Sequence, residues 1–296
     1  MSKVSDRLLS RLEWQVMRRL DGRLQGAYRT VWHGVGIDFT DLRDYMPEDD
    51  VRHIDWNVTA RMNEVFVRQY TEERELTAWL VLDRSASMRG GAAADQGKET
   101  VLRDLAICLA RILSQSGNRV GAILFDNANQ HVIPPRTGRN QALLLAHELA
   151  KPGASDGAGA TTDLAAMLRL AASVSRRRSL VFVLSDFIGE PGWDRPLAML
   201  SHRHEVVTVR IVDPVELDLP DLGLVFVQDA ETGEQLLVDT SDPMLRHRLG
   251  IQVESRETEV NEAMRQAGVT AHRVTTDQDL VQALVNMVRQ SRRRRR

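Results

Sequence analysis

A carboxylate and two hydroxyls follow one apolar segment of the sequence at a regular spacing. Asp83, Ser85 and Ser87 come at the end of the apolar run 78–82, which is typical of a buried strand. In open α/β sheets, ligands bind beyond the carboxyl ends of the strands, where this loop is expected to lie. Its three oxygen donors suit Mg²⁺ or Mn²⁺, which prefer octahedral oxygen coordination.

Two later segments carry donors of the same kind. Thr161 and Thr162 end a loop rich in small residues, just before a helical pattern, and a second apolar run, 180–184, is followed by Ser185 and Asp186. Each run has the length and β-branched content of a buried strand. The spacing alone leaves a second interpretation open, because short polar turns that bind nothing are also common after strands.

The order of these donors resembles the metal-ion-dependent adhesion site of von Willebrand factor A domains. The resemblance implies a metal site formed by Asp83, Ser85, Ser87, Thr162 and Asp186. It favours Thr162 over Thr161, because the threonine of that family precedes an Asp or Asn and an aliphatic residue, here Asp163 and Leu164. The implied cofactor is Mg²⁺, with Mn²⁺ or Ca²⁺ as alternative ions.

A second resemblance covers the first part of the chain. The segments 34–39, 43–56 and 59–61 read Gly-x-Gly-x-Asp-Phe, Arg-x-Tyr-x-Pro-x-Asp-Asp-x-Arg-x-Ile-Asp-Trp and Thr-Ala-Arg. They resemble the signature of the bacterial family DUF58, and the similarity runs from about residue 20 to residue 215. Glu48 stands where that family usually has Gly, and Pro47-Glu48 is still compatible with a type I turn. Relatives are often encoded beside MoxR-type AAA+ ATPases, so the resemblance implies such an ATPase, or its client proteins, as partner.

The chemistry of this signature is distinct from that of the metal site. Arginines and aspartates alternate with Tyr45 and Trp56 over a short stretch, a mixture that suits a half-buried polar network or a protein interface. A solvated charged surface is the alternative. We expect either a second docking surface or a clamp on the sheet, since no catalytic constellation is visible.

Composition excludes several classes of protein. The 296 residues are 43% hydrophobic and 27% charged, with a formal net charge of −2, which gives no global field toward nucleic acid or acidic membranes. Cys108 is the single cysteine, which excludes a disulfide framework or a thiolate metal cluster. The sequence has no apolar run of about 18 residues and no signal peptide, so we expect a cytoplasmic protein without a membrane span.

The pattern of elements predicts an α/β fold. Strand-like runs alternate with amphipathic helical segments from residue 76 onward, which favours βαβ crossovers and a mostly parallel sheet. With the resemblance, we expect a Rossmann-like, three-layer von Willebrand factor A-type domain at 76–290. Residues 1–75 are expected to form a helical and irregular segment packed on it, and 291–296 a basic, solvated tail.

Three functions are compatible with these residues. The first is a protein-interaction module in which an open position on Mg²⁺ takes a partner's carboxylate, used as an adaptor or substrate selector for the ATPase. The second is a Mg²⁺-dependent hydrolase or phosphoryl-transfer enzyme, although no phosphate-binding Gly-rich loop with a Lys is present. The third is a structural domain with a vestigial site. We expect the first, and therefore no enzyme.

Overall fold

A computed structural model describes residues 38–46, 49–62, 64–71, 76–89, 97–115, 117–126, 129–153, 161–229 and 233–294. The amphipathic helix predicted near the N-terminus, at 5–21, lies outside these ranges. The chain forms two compact units, one spanning Trp32–Leu76 and the other containing Thr77–Arg296.

The smaller unit is built on one antiparallel strand pair. Its elements are β1 (Asp38–Asp44), a 3₁₀ turn (Val51–His53), α1 (Trp56–Met62) and β2 (Phe66–Thr71). β1 and β2 pair with each other, with a register shift between Phe39 and Asp41. Before the 3₁₀ segment, the amide of Asp49 donates to the carbonyl of Met46 at 2.9 Å, and the turn expected at Pro47-Glu48 lies outside the described residues.

Two aspartates of the signature cap these short helices. Asp50 Oδ1 accepts from the amide of Arg52 at 2.9 Å, and the buried Asp55 accepts from the amide of Asn57 at 3.0 Å. Such caps satisfy backbone donors that have no partner within the helix. Trp56 is 67% exposed, so it is not part of the half-buried network that was one of the two sequence-based expectations.

The larger unit contains a six-stranded sheet and a separate hairpin. Its strands are β3 (Thr77–Asp83), β4 (Arg119–Phe125), β5 (Gln130–Arg136), β6 (Leu180–Ser185), β7 (Glu205–Val212), β8 (Leu224–Gln228), β9 (Gln235–Asp239) and β10 (Thr270–Thr275). The sheet order is β10-β7-β6-β3-β4-β5, parallel except for the β4–β5 pair. The predicted mostly parallel α/β fold is confirmed, and β8 and β9 form their own antiparallel pair.

Helices cover the sheet as a layered α/β fold requires. They are α2 (Ala86–Arg89), α3 (Lys98–Gln115), α4 (Arg139–Leu149), α5 (Leu164–Val174), α6 (Asp194–Arg203), α7 (Pro214–Leu217), α8 (Pro243–Gln266) and α9 (Leu280–Arg294). Trp79 and Val81 join one core cluster with residues of α5, α6 and α8. Leu80 and Leu82 alternate to the other face, and α3 packs against β3 and β4. None of the helices in the described ranges is both long and apolar enough to cross a bilayer.

The strand order reverses between β3 and β6. Along the sheet, β4 and β5 lie on one side of β3, whereas β6, β7 and β10 lie on the other. Such a reversal opens a crevice at the carboxyl ends of the two central strands, where ligands of doubly wound sheets bind. Asp83 is the last residue of β3 and Asp186 follows the last residue of β6, so both carboxylates lie beside this crevice.

Two elements run further than their sequences suggest. β5 continues through Pro134 and Pro135 to Arg136. β5 is the edge strand of the sheet, where a residue without an amide hydrogen is tolerated. Helix α9 also runs on into the arginine block, as far as Arg294, where a tail without regular structure was expected.

Candidate functional site

The loop after β3 brings its three predicted donors together. The buried Asp83 accepts from the Ser85 amide through Oδ1 at 3.0 Å and from the Ser185 hydroxyl through Oδ2 at 2.5 Å. The first of these bonds turns the chain into α2, on which Ser87 lies. Ser85 Oγ is 3.0 Å from Ser87 Oγ, so the two hydroxyls form a buried pair next to the carboxylate.

The loop after β6 holds Asp186 in a tight, strained turn. The amide of Ile188 donates to Asp186 Oδ1 at 2.9 Å. Phe187 between them has a φ of 58°, a left-handed conformation that costs a non-glycine residue about 1–2 kcal/mol. Its buried ring packs on that of Trp193, with centroids 5.1 Å apart, which holds the turn in place. Backbone strain of this kind clusters at functional sites.

Thr162 is fixed against the same loop. It is 1% exposed, whereas Thr161 is exposed. The carbonyl of Thr162 accepts from the amide of Glu190 at 3.1 Å. A Cβ added to Gly189 would lie 2.4 Å from that carbonyl oxygen. The close approach of the two loops therefore depends on the absence of a side chain at Gly189.

The electrostatics of Asp83 show that two carboxylates share this crevice. Burial raises the pKa of Asp83, the charge of Asp186 raises it further, and hydrogen bonds from Ser185 and Ser85 only partly oppose them, so that it reaches about 7. Desolvation and a like charge are the two causes that disfavour a carboxylate anion. Burial and the charge of Asp186 therefore outweigh the hydrogen bonds that stabilise the Asp83 anion.

An ammonium group that we did not predict lies at the centre of the site. The side chain of Lys98 is 0% exposed, and its Nζ is 2.8 Å from Asp186 Oδ2 and 2.6 Å from Glu216 Oε1. Burial alone lowers the pKa of Lys98, but the two carboxylates outweigh it and the pKa is raised overall. Lys98 is thus a fixed cation that joins the loop after β6 to α7.

Lys98, Glu216 and the role of Ser185 were not predicted from the sequence. Lys98 is the first residue of α3, and a cation at the positive N-terminal end of a helix is unfavourable unless an anion compensates it. That position was a usable signal for a buried partner. Glu216 lies on the one-turn helix α7, which the sequence does not distinguish from a turn, so it gave no comparable signal.

The residues present fit a divalent cation. Within the described ranges, no set of three or more His, Cys, Asp or Glu side chains has the arrangement of a metal cluster, and the candidate set instead combines two carboxylates with hydroxyls. Each carboxylate oxygen has two lone pairs, so the hydrogen bonds to Asp83 and Asp186 leave acceptor capacity. The ammonium of Lys98 pairs with Asp186 and Glu216, and Asp83 is repelled by Asp186 without a cation of its own. When Asp83 is ionised, this cluster has more carboxylates than cations, which suits Mg²⁺.

An open cleft leads to these residues, and we call it the site cleft. It has a volume of about 430 Å³ and is lined by Ser87, Lys98 and Glu216 on the sheet side. Helix α8 contributes Gln252 and Arg256 to the other wall, and Gln228 lies at the end of β8. The site therefore faces an opening with two walls. One wall belongs to the site itself, and the other is formed by α8 and the end of β8, which lie between β7 and β10 in the sequence.

The chain is similar to several known proteins. The chain is 37% identical to an uncharacterized protein of Mycobacterium tuberculosis over 290 residues, which is 96% of this chain and 89% of that protein. An aerotolerance-related membrane protein from Bacteroides fragilis superposes with a TM-score of 0.48 at 16% identity, covering 74% of this chain and 99% of the other. The VWA domain of SpRpn10 gives 0.39 at 12% identity, covering 72% and 95%.

The family match is shifted toward the C-terminus relative to the similarity recognised in the sequence. The family described as "Protein of unknown function DUF58" matches residues 41–259, whereas the similarity was expected to run from about residue 20 to residue 215, so the signature segment 34–39 lies outside the match. The match thus includes β8, β9 and most of α8, and α8 and the end of β8 line the site cleft. This chain belongs to the DUF58 family.

Proposed function

We propose that this protein is an interaction module that binds a partner's carboxylate through a divalent cation. The observation that supports the proposal is the meeting of Asp83 and Asp186 at the switch point of the sheet, where the charge of one raises the pKa of the other. Mg²⁺ is the ion that this donor set favours, and Mn²⁺ or Ca²⁺ is the alternative.

The residues of the chain have distinct roles in this proposal. Asp83 and Asp186 supply the negative charge, and the hydroxyls of Ser85, Ser87 and Thr162 supply neutral oxygen donors. When bound, the ion would offer a coordination position to an incoming Asp or Glu side chain. Lys98 donates to Oδ2 of Asp186 and the amide of Ile188 donates to Oδ1, so the carboxylate is oriented before any partner arrives.

An interaction module accounts for these features better than an enzyme does. The carboxylates beside the crevice are either proposed ligands of the ion or, like Glu216, paired with Lys98. A hydrolase needs a further base within hydrogen-bond reach of the attacking water, and the proposed role assigns none. We therefore propose binding, without catalysis, as the function.

The family suggests the partner. Because DUF58 proteins are often encoded beside MoxR-type AAA+ ATPases, we propose that this chain is an adaptor or substrate selector for such an ATPase. A carboxylate on the ATPase or on its client protein would be the group that enters the site cleft.

Two measurements, made one after the other, test the proposal. Calorimetric titration with Mg²⁺, and Mn²⁺ binding followed by electron paramagnetic resonance, should show one site in the wild type and none in Asp83→Ala or Asp186→Ala. Co-elution with the purified ATPase should then be lost in Asp186→Ala. The variant is preferable to chelation here, because the ATPase itself needs Mg²⁺. Wild-type protein without measurable Mg²⁺ or Mn²⁺ binding contradicts the metal site, and equal co-elution of both proteins contradicts the bridging role.

A further inference from the structure

The β8–β9 hairpin presents an exposed apolar face. Successive side chains of a strand alternate between faces, so Leu224, Phe226 and Gln228 share one face of β8, and Leu237 lies directly opposite Phe226. Leu224, Phe226 and Leu237 are 69%, 76% and 58% exposed. We call these three residues the hairpin face. Contiguous exposed apolar surface of this kind marks interaction sites.

The hairpin face is continuous with the site cleft. Gln228, which lines the cleft, is on the same face of β8 as Phe226 and Leu224. At a rise of about 3.4 Å per residue, Leu224 is about 14 Å along the strand from Gln228, the length of about four residues of extended peptide. A peptide that occupies the cleft would therefore also meet an adjacent apolar surface that is about four residues long.

One wall of the cleft carries a cation suited to an anion. This cation is Arg256, whereas Lys98 on the other wall is already paired with Asp186 and Glu216, and Asp229 also lines the cleft. Among the described residues, no carboxylate pairs with Arg256. Glu257, its neighbour in the sequence, pairs with Arg210 and Arg273 instead. A guanidinium binds a carboxylate through two parallel hydrogen bonds, which makes Arg256 a second point of recognition beside the proposed ion.

We propose that the site cleft and the hairpin face together bind an extended peptide segment of a partner protein, in which an acidic side chain is followed by alternating apolar side chains. The acidic group would reach Arg256 and the proposed ion, and the apolar side chains would cover Leu224, Phe226 and Leu237. The part of this proposal that concerns the ion rests on the proposed function, whereas the part that concerns the hairpin face is independent of it. A cleft of about 430 Å³ accommodates a few side chains of a segment, and the hairpin face offers the rest of the segment an apolar surface along β8 and β9.

Neighbouring leucines of β9 provide a matched pair of variants. Leu237 on the hairpin face and Leu236 on the opposite face are 58% and 60% exposed, so Leu237→Ser and Leu236→Ser change the same chemistry at equal exposure. Phage-displayed peptides with one fixed Asp and random flanking residues are selected on the full chain in Mg²⁺. Synthetic copies of the enriched peptides are then measured by fluorescence polarisation.

Three results are expected if the segment binds as proposed. The enriched peptides carry Leu, Ile, Val or Phe at alternate positions on one side of the Asp. Leu237→Ser weakens their binding by about tenfold or more, and Leu236→Ser by less than about twofold. Arg256→Gln weakens binding of the Asp peptides but not of matched Asn peptides. Thermal unfolding of each variant confirms that the fold is intact.

Other results overturn the proposal and separate it from the proposed function. Failure to enrich any peptide, enrichment without apolar residues, or equal effects of the two leucine variants contradicts binding on the hairpin face. A dimer by light scattering that Leu237→Ser dissociates assigns the face to a second copy of the chain. If apolar peptides depend on Leu237 but bind equally in Mg²⁺ and in EDTA, the hairpin face is correct and the metal-bridging function is not.

Discussion

The Nζ atom of Lys98 lies 2.8 Å from Oδ2 of Asp186, and both side chains are shielded from solvent. A buried charge is tolerated only when it is paired and hydrogen-bonded. Lys98 provides one positive charge to a cluster in which Asp186 and Glu216 are its direct partners and Asp83 is repelled by Asp186. Lys98 therefore stabilises the metal-free site but does not balance all of its carboxylates, and a divalent ion would supply the remaining positive charge.

Removal of the Lys98 charge should have opposite effects on folding and on metal binding. Without Mg²⁺, we expect Lys98→Met to lower the free energy of unfolding by about 3–5 kcal/mol, the loss typical of a buried pair that is left with one charge. Mg²⁺ should recover part of this loss and bind more tightly than to the wild type, because the competing cation is gone. Urea denaturation and calorimetric titration measure the two effects.

An exposed lysine provides the control for this variant. Lys151 pairs with Glu148 at 2.7 Å, with its side chain 53% exposed, so Lys151→Met should change stability by less than about 1 kcal/mol and leave Mg²⁺ binding unchanged. A Lys98→Met protein that is as stable as the wild type in EDTA contradicts the charge-balancing role.

The pKa of Asp83 predicts a pH-dependent stability in metal-free buffer. The folded state holds this proton up to about pH 7, above the ordinary value of 3.8, so the folded protein binds more protons than the unfolded chain between these values. The contribution of Asp83 to the free energy of unfolding therefore falls as pH rises through this window and is constant above it. Relative to the wild type, Asp83→Asn should gain stability across the same window, measured by denaturation at about pH 5 and about pH 8.

Above about pH 7, Mg²⁺ should reverse this order of stability, so that the wild type becomes more stable than Asp83→Asn. Because Mg²⁺ binds the ionised carboxylate, it should stabilise the wild type at about pH 8 and leave Asp83→Asn unaffected. Asp104 is the control, since burial, only partly opposed by Arg103, raises its pKa also, yet it is not part of the site. Asp104→Asn should shift the pH profile in the same direction and retain the Mg²⁺ response. A wild-type profile that is flat between pH 4 and pH 7 contradicts the environment described for Asp83.

The sequence was informative where the signal is local. Apolar runs that end in Asp83 and in Ser185-Asp186 are sufficient to predict buried parallel strands, and therefore where both carboxylates lie. Lys98 and Asp186 are 88 residues apart in the sequence, and Ser185 and Asp83 are 102 apart. Pairings of this kind depend on how the strands are ordered in the sheet, which no periodicity in the sequence encodes. The same holds for the wall of the site cleft, because α8 reaches it only through the fold.

Thr162 and Thr161 allow the proposed ligand set to be tested at a single hydroxyl. Thr162 is buried and Thr161 exposed, and valine preserves the shape of threonine while removing its oxygen. We expect Thr162→Val to weaken Mg²⁺ binding by at least about tenfold, the loss seen even for outer-shell partners of metal ligands. Thr161→Val should bind Mg²⁺ as the wild type does in the same calorimetric titration. Equal Mg²⁺ affinities for both variants exclude Thr162 as a ligand. If only Thr161→Val weakens Mg²⁺ binding, the ligand is Thr161 and not Thr162.

Gly189 links the loop of Thr162 to the loop of Asp186, so a single methyl group there should separate them. In Gly189→Ala, the Cβ would lie 2.4 Å from the carbonyl oxygen of Thr162, and since that atom belongs to the backbone, one of the loops must move. We expect the variant to lose about 1–3 kcal/mol of stability, as overpacked sites do. Its affinity for Mg²⁺ should also fall, because the hydrogen bond from the Glu190 amide to Thr162 is strained.

Gly250 is the matched control for this glycine. It lies within α8, and nothing is within 4 Å of an added Cβ, so Gly250→Ala should raise helix stability by up to about 1 kcal/mol without altering Mg²⁺ affinity. Urea denaturation gives the stability of each variant, and calorimetry gives its metal affinity. If Gly189→Ala binds Mg²⁺ as tightly as Gly250→Ala does, the position of Thr162 relative to Asp186 is not what sets the affinity, and the ion must be held by the loop after β3 with Asp186 alone.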